Sequence, residues 1–182
     1  VGVGSLLVGA FKGFKELHRL GLTRGVPRIV AVQPESCAPI VKGFLEDSHQ
    51  VSAWTKVGMT IATAIVDPLT GYEADGTYTL KTIHSSGGLA VTISDSEILD
   101  AVDKLARLEG IFTEPSGAAS IAGTKKLIIQ GSIKSGDTVV CLATGSGFKE
   151  TAKYSRLFDL PSPIKPTGCG LDCALERIMH RL

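Results

Sequence analysis

Asparagine is missing from all 182 residues, and methionine (2), tryptophan (1), tyrosine (3) and cysteine (4) are scarce. Four cysteines are too few for a disulfide framework in a chain of this length, so a reducing, cytoplasmic setting is the simplest expectation. No apolar run approaches the roughly 18 residues that a bilayer-crossing helix requires, so no membrane partner is expected. The start, Val1-Gly2-Val3-Gly4, has neither the charged region of a signal peptide nor an initiating methionine. Charge is balanced, with 19 Lys and Arg against 18 Asp and Glu, a formal net of +1. Such a chain has no overall basic field for nucleic acid. What is present is an ordinary globular composition, 43% hydrophobic and 20% charged, with 21 glycines.

Strand-like and helix-like segments alternate. Residues 28–32 (RIVAV) form a short β-branched run stopped by Pro34, and residues 89–93 (LAVTI) form another entered from Gly87-Gly88. Residues 138–143 (TVVCLA) are the most apolar of the three and follow a turn-like Ser135-Gly136-Asp137. All three read as buried strands. Ser94, followed three positions later by Glu97, is a capping-box signature. It opens a helix over 95–108, with Ile98, Ala101, Val102 and Leu105 at helical spacing and Gly110 as its stop. A second helix is expected over 6–20, closed by Gly21. A third begins near Pro115, carries the small residues Ala118, Ala119 and Ala122, and ends at Leu127. Residues 72–86, rich in Gly, Thr and Ser, read as a surface loop or hairpin. Buried strands separated by helices imply an α/β fold with a mainly parallel sheet and helices on both faces. The domain is expected to span 1–159, followed by a Pro/Gly-rich tail over 160–182 with a short helix near its end.

Three segments have a composition suited to chemistry. Gly2-Val3-Gly4-Ser5-Leu6 leads directly into a helix. Freed backbone N–H groups and the positive end of the helix dipole bind phosphate there, or the segment is a plain strand-to-helix turn. Gly2 and Gly4 begin a dinucleotide fingerprint, with Glu35 as the ribose-binding acid, but Leu7 stands where its third glycine belongs. Thr144, before Gly145-Ser146-Gly147, lies at the carboxyl end of the apolar run, where ligands of open α/β sheets sit. Its hydroxyl offers one hydrogen bond to a ligand. The competing reading is a turn. Glu114, before Pro115-Ser116-Gly117, is a carboxylate at a helix start, favourable to the dipole with or without a ligand.

Taken together and in order, these segments resemble the C-terminal part of threonine synthase, a family of fold type II pyridoxal-phosphate enzymes. The resemblance runs through Gly2–Leu6, KGFKEL (12–17), RIVAVQPE (28–35), TIATAI (60–65), SGG (86–88), EPSGA (114–118) and TGSGFK (144–149), and covers nearly everything from Val1 to about Lys153. It implies the larger cofactor-binding domain of that fold, incomplete on its N-terminal side. It also implies that Gly2, Val3, Gly4, Ser5 and Leu6 hold the phosphate of pyridoxal 5'-phosphate through backbone N–H groups, and that the Thr144 hydroxyl meets the cofactor's ring nitrogen. A hydroxyl partner leaves that nitrogen largely unprotonated. Ser146 departs from the His of many relatives.

The family's Schiff-base lysine, in a Ser-Phe-Lys-type segment, and the Asn at the cofactor's ring hydroxyl belong to the other half, and neither occurs in this chain. No catalytic residue is therefore assigned. The implied reaction of the complete enzyme is conversion of O-phosphohomoserine and water to threonine and phosphate. A homodimer is implied for that enzyme, and inactivity is expected for this chain alone. A threonine dehydratase or cysteate synthase-like paralogue remains open, as does a non-catalytic α/β half-protein that binds phosphate-bearing ligands or another chain. Cys169, Cys173 and His180 form only weak metal-ligand spacing, and no metal is assigned.

Overall fold

The computed structural model describes residues 1–154 together with Asp172, Leu175, Glu176 and Met179. The chain forms two compact units, Val1–Lys149 and Glu150–Leu182. In chain order the elements are α1 (Ser5–Arg19), β1 (Val30–Pro34), α2 (Pro39–Leu45), α3 (Glu73–Ser85), β2 (Leu89–Ile93), α4 (Asp95–Glu109) and α5 (Pro115–Ile129). Short 3-10 segments occur at Thr63–Ile65 and Gly147–Tyr154, the latter kinked at Glu150. Of the expected tail, Asp172, Leu175, Glu176 and Met179 are helical. Pro161, Pro163, Pro166, Gly168, Cys169, Gly170, Cys173 and His180 lie outside the described residues.

β1 and β2 pair in parallel, from Val30 opposite Leu89 to Pro34 opposite Ile93. Parallel neighbours need a crossover, which α2 and α3 supply. α2, α3 and α5 pack on the sheet. Ile40 and Val41 of α2, Leu80 and Ile83 of α3, and Leu69 close the centre with Ala31 and Ala90. β2 and three of the helices follow the sequence expectation closely. β1 is shifted two residues on from the expected 28–32. Pro34 ends the ladder, where its missing N–H costs nothing, and its carbonyl accepts from Cys37 N–H at 3.0 Å. The Ser94–Glu97 capping box is formed in both directions, and Gly110 closes α4 in the left-handed region at φ 68°. Lys126 also reaches the Glu97 carboxylate at 3.3 Å, tying α5 to the start of α4.

Two expectations are corrected. The segment 72–86 is not a loop or hairpin but helix α3. Its Gly, Thr and Ser content had suggested a turn. Yet Gly76, Thr79, Leu80 and Ile83 recur on one buried face, and Glu73 and Asp75 stand in the first turn, where the dipole favours acids. The small residues are there for close approach: a Cβ on Gly76 would lie 2.3 Å from Leu69 Cδ1. The second correction concerns 138–143, which joins no sheet among the described residues. It runs beside α5, with Ser120 Oγ donating to the Leu142 carbonyl (3.1 Å) and Cys141 Sγ 3.2 Å from Thr124 Oγ1. Val140 is 81% exposed. Apolar, β-branched sequence marks a segment suited to burial, but a ladder also needs a neighbouring strand, and that information is not local.

Candidate functional site: the glycine-loop helix start and the Thr144 turn

The first candidate segment docks on the sheet before it turns. The Val1 backbone nitrogen donates to the Val32 carbonyl, and Gln33 Nε2 donates to the Val1 carbonyl at 3.2 Å. Gln33 is fully buried, and its Oε1 accepts the N–H groups of Ile40 and Val41 at 3.0 Å each, which caps α2. One amide side chain thereby fixes β1, α2 and the residue before the glycine loop. A buried amide earns its place only when both ends are paired, and here they are.

Gly4 is the N-cap of α1 and adopts φ 105°, a conformation that L side chains rarely take. Space excludes a side chain as well, because a Cβ on Gly4 would lie 2.4 Å from both Cγ2 and Oγ1 of Thr79. Thr79 Oγ1 in turn donates to the Val3 carbonyl at 2.7 Å, so α3 grips the loop. The first internal bond of α1 runs from Val8 N–H to the Gly4 carbonyl at 2.9 Å. By helix geometry, the N–H groups of Ser5, Leu6 and Leu7 therefore have no acceptor within the helix. No side chain caps them and no acid stands in the first turn. Ser5 is exposed, and Leu6 is 63% exposed. Uncapped helix starts in general favour a nearby anion.

Thr144 is also exposed, at the end of the extended segment beside α5. Its backbone is firmly held. Thr113 and Ser146 form an antiparallel bridge, Glu114 N–H donates to the Gly145 carbonyl (3.1 Å), and Gly147 N–H to the Phe112 carbonyl (3.0 Å). Gly145 takes φ 75°, and its missing side chain makes room for the Glu114 carboxyl, whose Oε1 would lie 2.1 Å from a Cβ there. Glu114 Oε2 pairs with Lys149 Nζ at 3.4 Å, with only 12% of the Glu114 side chain exposed. Glu114 thus buttresses the turn, and Lys149 is engaged as its counter-ion.

The glycine loop lies against residues 60–67, and the Thr144 turn is linked to the same stretch through Ser116 and Gly117. A Cβ on Gly2 would lie 3.5 Å from Asp67 Cβ and 3.9 Å from Ile65 Cα. Ala64 N–H donates to Ser116 Oγ at 3.1 Å, and Gly117 abuts the Thr144 carbonyl. The Asp67 carboxylate beside Gly2 is already occupied: its Oδ1 accepts from Leu69 N–H (2.9 Å) and from the Tyr72 hydroxyl (2.7 Å). That carboxylate holds the Tyr72 hydroxyl above the usual phenol pKa, with desolvation second. Glu35, the acid of the dinucleotide reading, lies 3.7 Å from Lys126. The sequence reading missed Gln33, Thr79 and Thr113 as supports of these loops. Gln33, polar at the end of an apolar run, gives a local signal, whereas Thr79 and Thr113 lie among other polar residues and give none.

Comparison with known proteins converges on one family. Threonine synthase of Methanocaldococcus jannaschii is 36% identical over 182 residues, covering 100% of this chain and 43% of that protein. Threonine synthase of Methanosarcina acetivorans is 39% identical over 181 residues, again 100% and 43%. That of Mycobacterium bovis is 39% identical over 172 residues, 92% of this chain and 44% of that protein. The chain therefore spans less than half the length of these curated relatives. In fold it resembles the processed threonine deaminase isoform 2 of Solanum lycopersicum (TM-score 0.60, 23% identity, 88% of this chain and 43% of that one). It also resembles a fungal L-serine ammonia-lyase from Rhizomucor miehei (TM-score 0.60, 22% identity, 86% and 47%). The parallel α/β architecture is thus a partial fold type II domain. Residues 1–145 match the family described as "Pyridoxal-phosphate dependent enzyme", whose cofactor is pyridoxal phosphate, and to that family this chain belongs.

Proposed function

We propose that the chain is the cofactor-cradling portion of a threonine synthase-like enzyme whose complete form converts O-phosphohomoserine and water to threonine and phosphate in the cytoplasm. The observation that carries this is identity of 36–39% to threonine synthases along 92–100% of the chain, with both loops inside the two matches that cover all of it. The resemblance in fold to the tomato deaminase, at 23% identity, speaks only to architecture and does not favour a dehydratase.

The residues present fit the cofactor. The N–H groups of Ser5, Leu6 and Leu7 have no competing side chain. Gly2, Val3 and Gly4 bring the backbone close without a side chain of their own at the two glycines. These residues would take the phosphate, and the exposed Thr144 hydroxyl would meet the ring nitrogen. Pyridoxal phosphate supplies an electron sink for the carbon acids of an amino-acid substrate. Thr144, a neutral hydroxyl, orients the ring without adding charge, and the helix dipole of α1 neutralises part of the phosphate charge. Among the described residues, Lys149 near the Thr144 turn is paired with Glu114 and is not offered as the Schiff-base lysine. The amine and the remaining substrate contacts come from the rest of the enzyme, which assembles as a homodimer. Without them the chain is inactive.

The test is phosphate release from O-phosphohomoserine by the chain, with borohydride trapping of cofactor-treated protein and peptide mapping. The expected result is no turnover and only weak labelling spread over several lysines. Turnover, or a stoichiometric adduct at one lysine that Gly4→Val abolishes, overturns the reading and makes the chain a minimal enzyme.

A further inference from the structure

Thr113 is 2% exposed, and its hydroxyl faces three backbone carbonyls: Gly145 at 2.8 Å, Thr144 at 3.2 Å and Glu114 at 3.5 Å. A hydroxyl has a single proton, and the 2.8 Å geometry gives it to Gly145. The Thr144 carbonyl is also fenced from the other side, because a Cβ on Gly117 would lie 2.0 Å from it. The Gly145–Ser146 peptide is therefore held by this buried hydroxyl together with Glu114 N–H, and the Thr144 carbonyl before it lies beside the same hydroxyl. We infer that Thr113 is a positioning residue for cofactor binding: it anchors the turn that directly follows Thr144, and so fixes where the Thr144 hydroxyl meets a pyridine nitrogen. The inference rests on the role proposed for Thr144 and adds a residue that touches no ligand. An exposed side chain on an extended segment has many orientations available, and the entropy of ordering it would otherwise be lost at binding. The clamp removes the backbone share of that cost beforehand.

Two measurements separate the clamp from the cofactor role. The first needs no ligand: amide hydrogen exchange of Gly145, Ser146 and Gly147 in the free chain. Thr113→Val keeps the shape and removes the donor, and it should speed exchange at these amides. Thr113→Ser should keep them near wild type. The second uses 4'-deoxypyridoxine 5'-phosphate, which carries the ring nitrogen and phosphate but no aldehyde and so requires no lysine. Thr113→Val should weaken it by about five- to tenfold, the size of one neutral hydrogen bond. Thr113→Ser should restore binding, inorganic phosphate should bind unchanged, and in a Thr144→Val background Thr113→Val should cost nothing further. Thr113→Cys, a weak donor of similar size, carries the same cycle if the valine variant does not fold. Unchanged amide exchange overturns the inference, as does an equal loss in the Thr144→Val background. If wild type and Thr144→Val bind the analogue equally, the Thr144 reading falls and the positioning role falls with it.

Discussion

The two loops that would hold the cofactor are built on opposite plans. The glycine loop is set from the core: Gly4 has no room for a methyl beside buried Thr79, and the Val1 backbone hydrogen-bonds to Val32 and to the buried Gln33 side chain. The Thr144 turn is set by hydrogen bonds to the 112–114 segment and by an ion pair, while the side chains leading to it are exposed. Packing is shared by many atoms, so the first loop is costly to alter and its geometry is inseparable from the core. A few polar contacts define the second, so its function can be removed with little effect on the fold.

Gly4→Val puts the comparison under the greatest strain. It forces a β-branched residue to φ 105° against Thr79, and should cost about 3 kcal/mol or more in stability and abolish phosphate binding. Denaturant midpoints and phosphate titration check both, and an unchanged phosphate affinity would show that the anion binds elsewhere. Gln33→Leu comes next. It leaves the Ile40 and Val41 N–H groups and the Val1 carbonyl without their partner. The loss expected is about 2 kcal/mol, read from urea unfolding, together with a weaker phosphate affinity. A stability equal to wild type would mean that this amide does not hold the glycine loop. Thr144→Val is the mildest and draws the contrast most sharply. Its hydroxyl is exposed, so thermal unfolding should be unchanged within about 0.5 kcal/mol. Affinity for the aldehyde-free cofactor analogue should fall by about 1 kcal/mol. A stability loss as large as that of Gln33→Leu would erase the distinction between the two loops.

Which of these features could be read from sequence follows the range of the interactions. The α4 capping box, the glycine that stops it and the apolar run of β2 are local, and each is visible within a few residues. Gly2–Leu6 and Thr144 were also legible as candidates, because glycine before a helix and a hydroxyl before a glycine turn are local patterns. α3 was misread because its glycine and threonines were counted as turn composition, although they serve contacts with Leu69 and Gly4 that are distant in sequence. The 138–143 run has the composition of a buried strand but joins no sheet among the described residues, since a ladder is a property of two segments. The partners of Gln33, Thr79 and Thr113 were hidden for the same reason. A buried polar residue looks unfavourable until its distant partner is known.

The extended run before Thr144 has a practical consequence for anyone handling this chain. Val139, Val140 and Leu142 are 40–81% exposed, on backbone that pairs with no strand among the described residues. An exposed, apolar, β-branched segment is one onto which other strands add. Self-association of the chain through these residues is therefore expected as its concentration rises, whatever its near-neutral net charge.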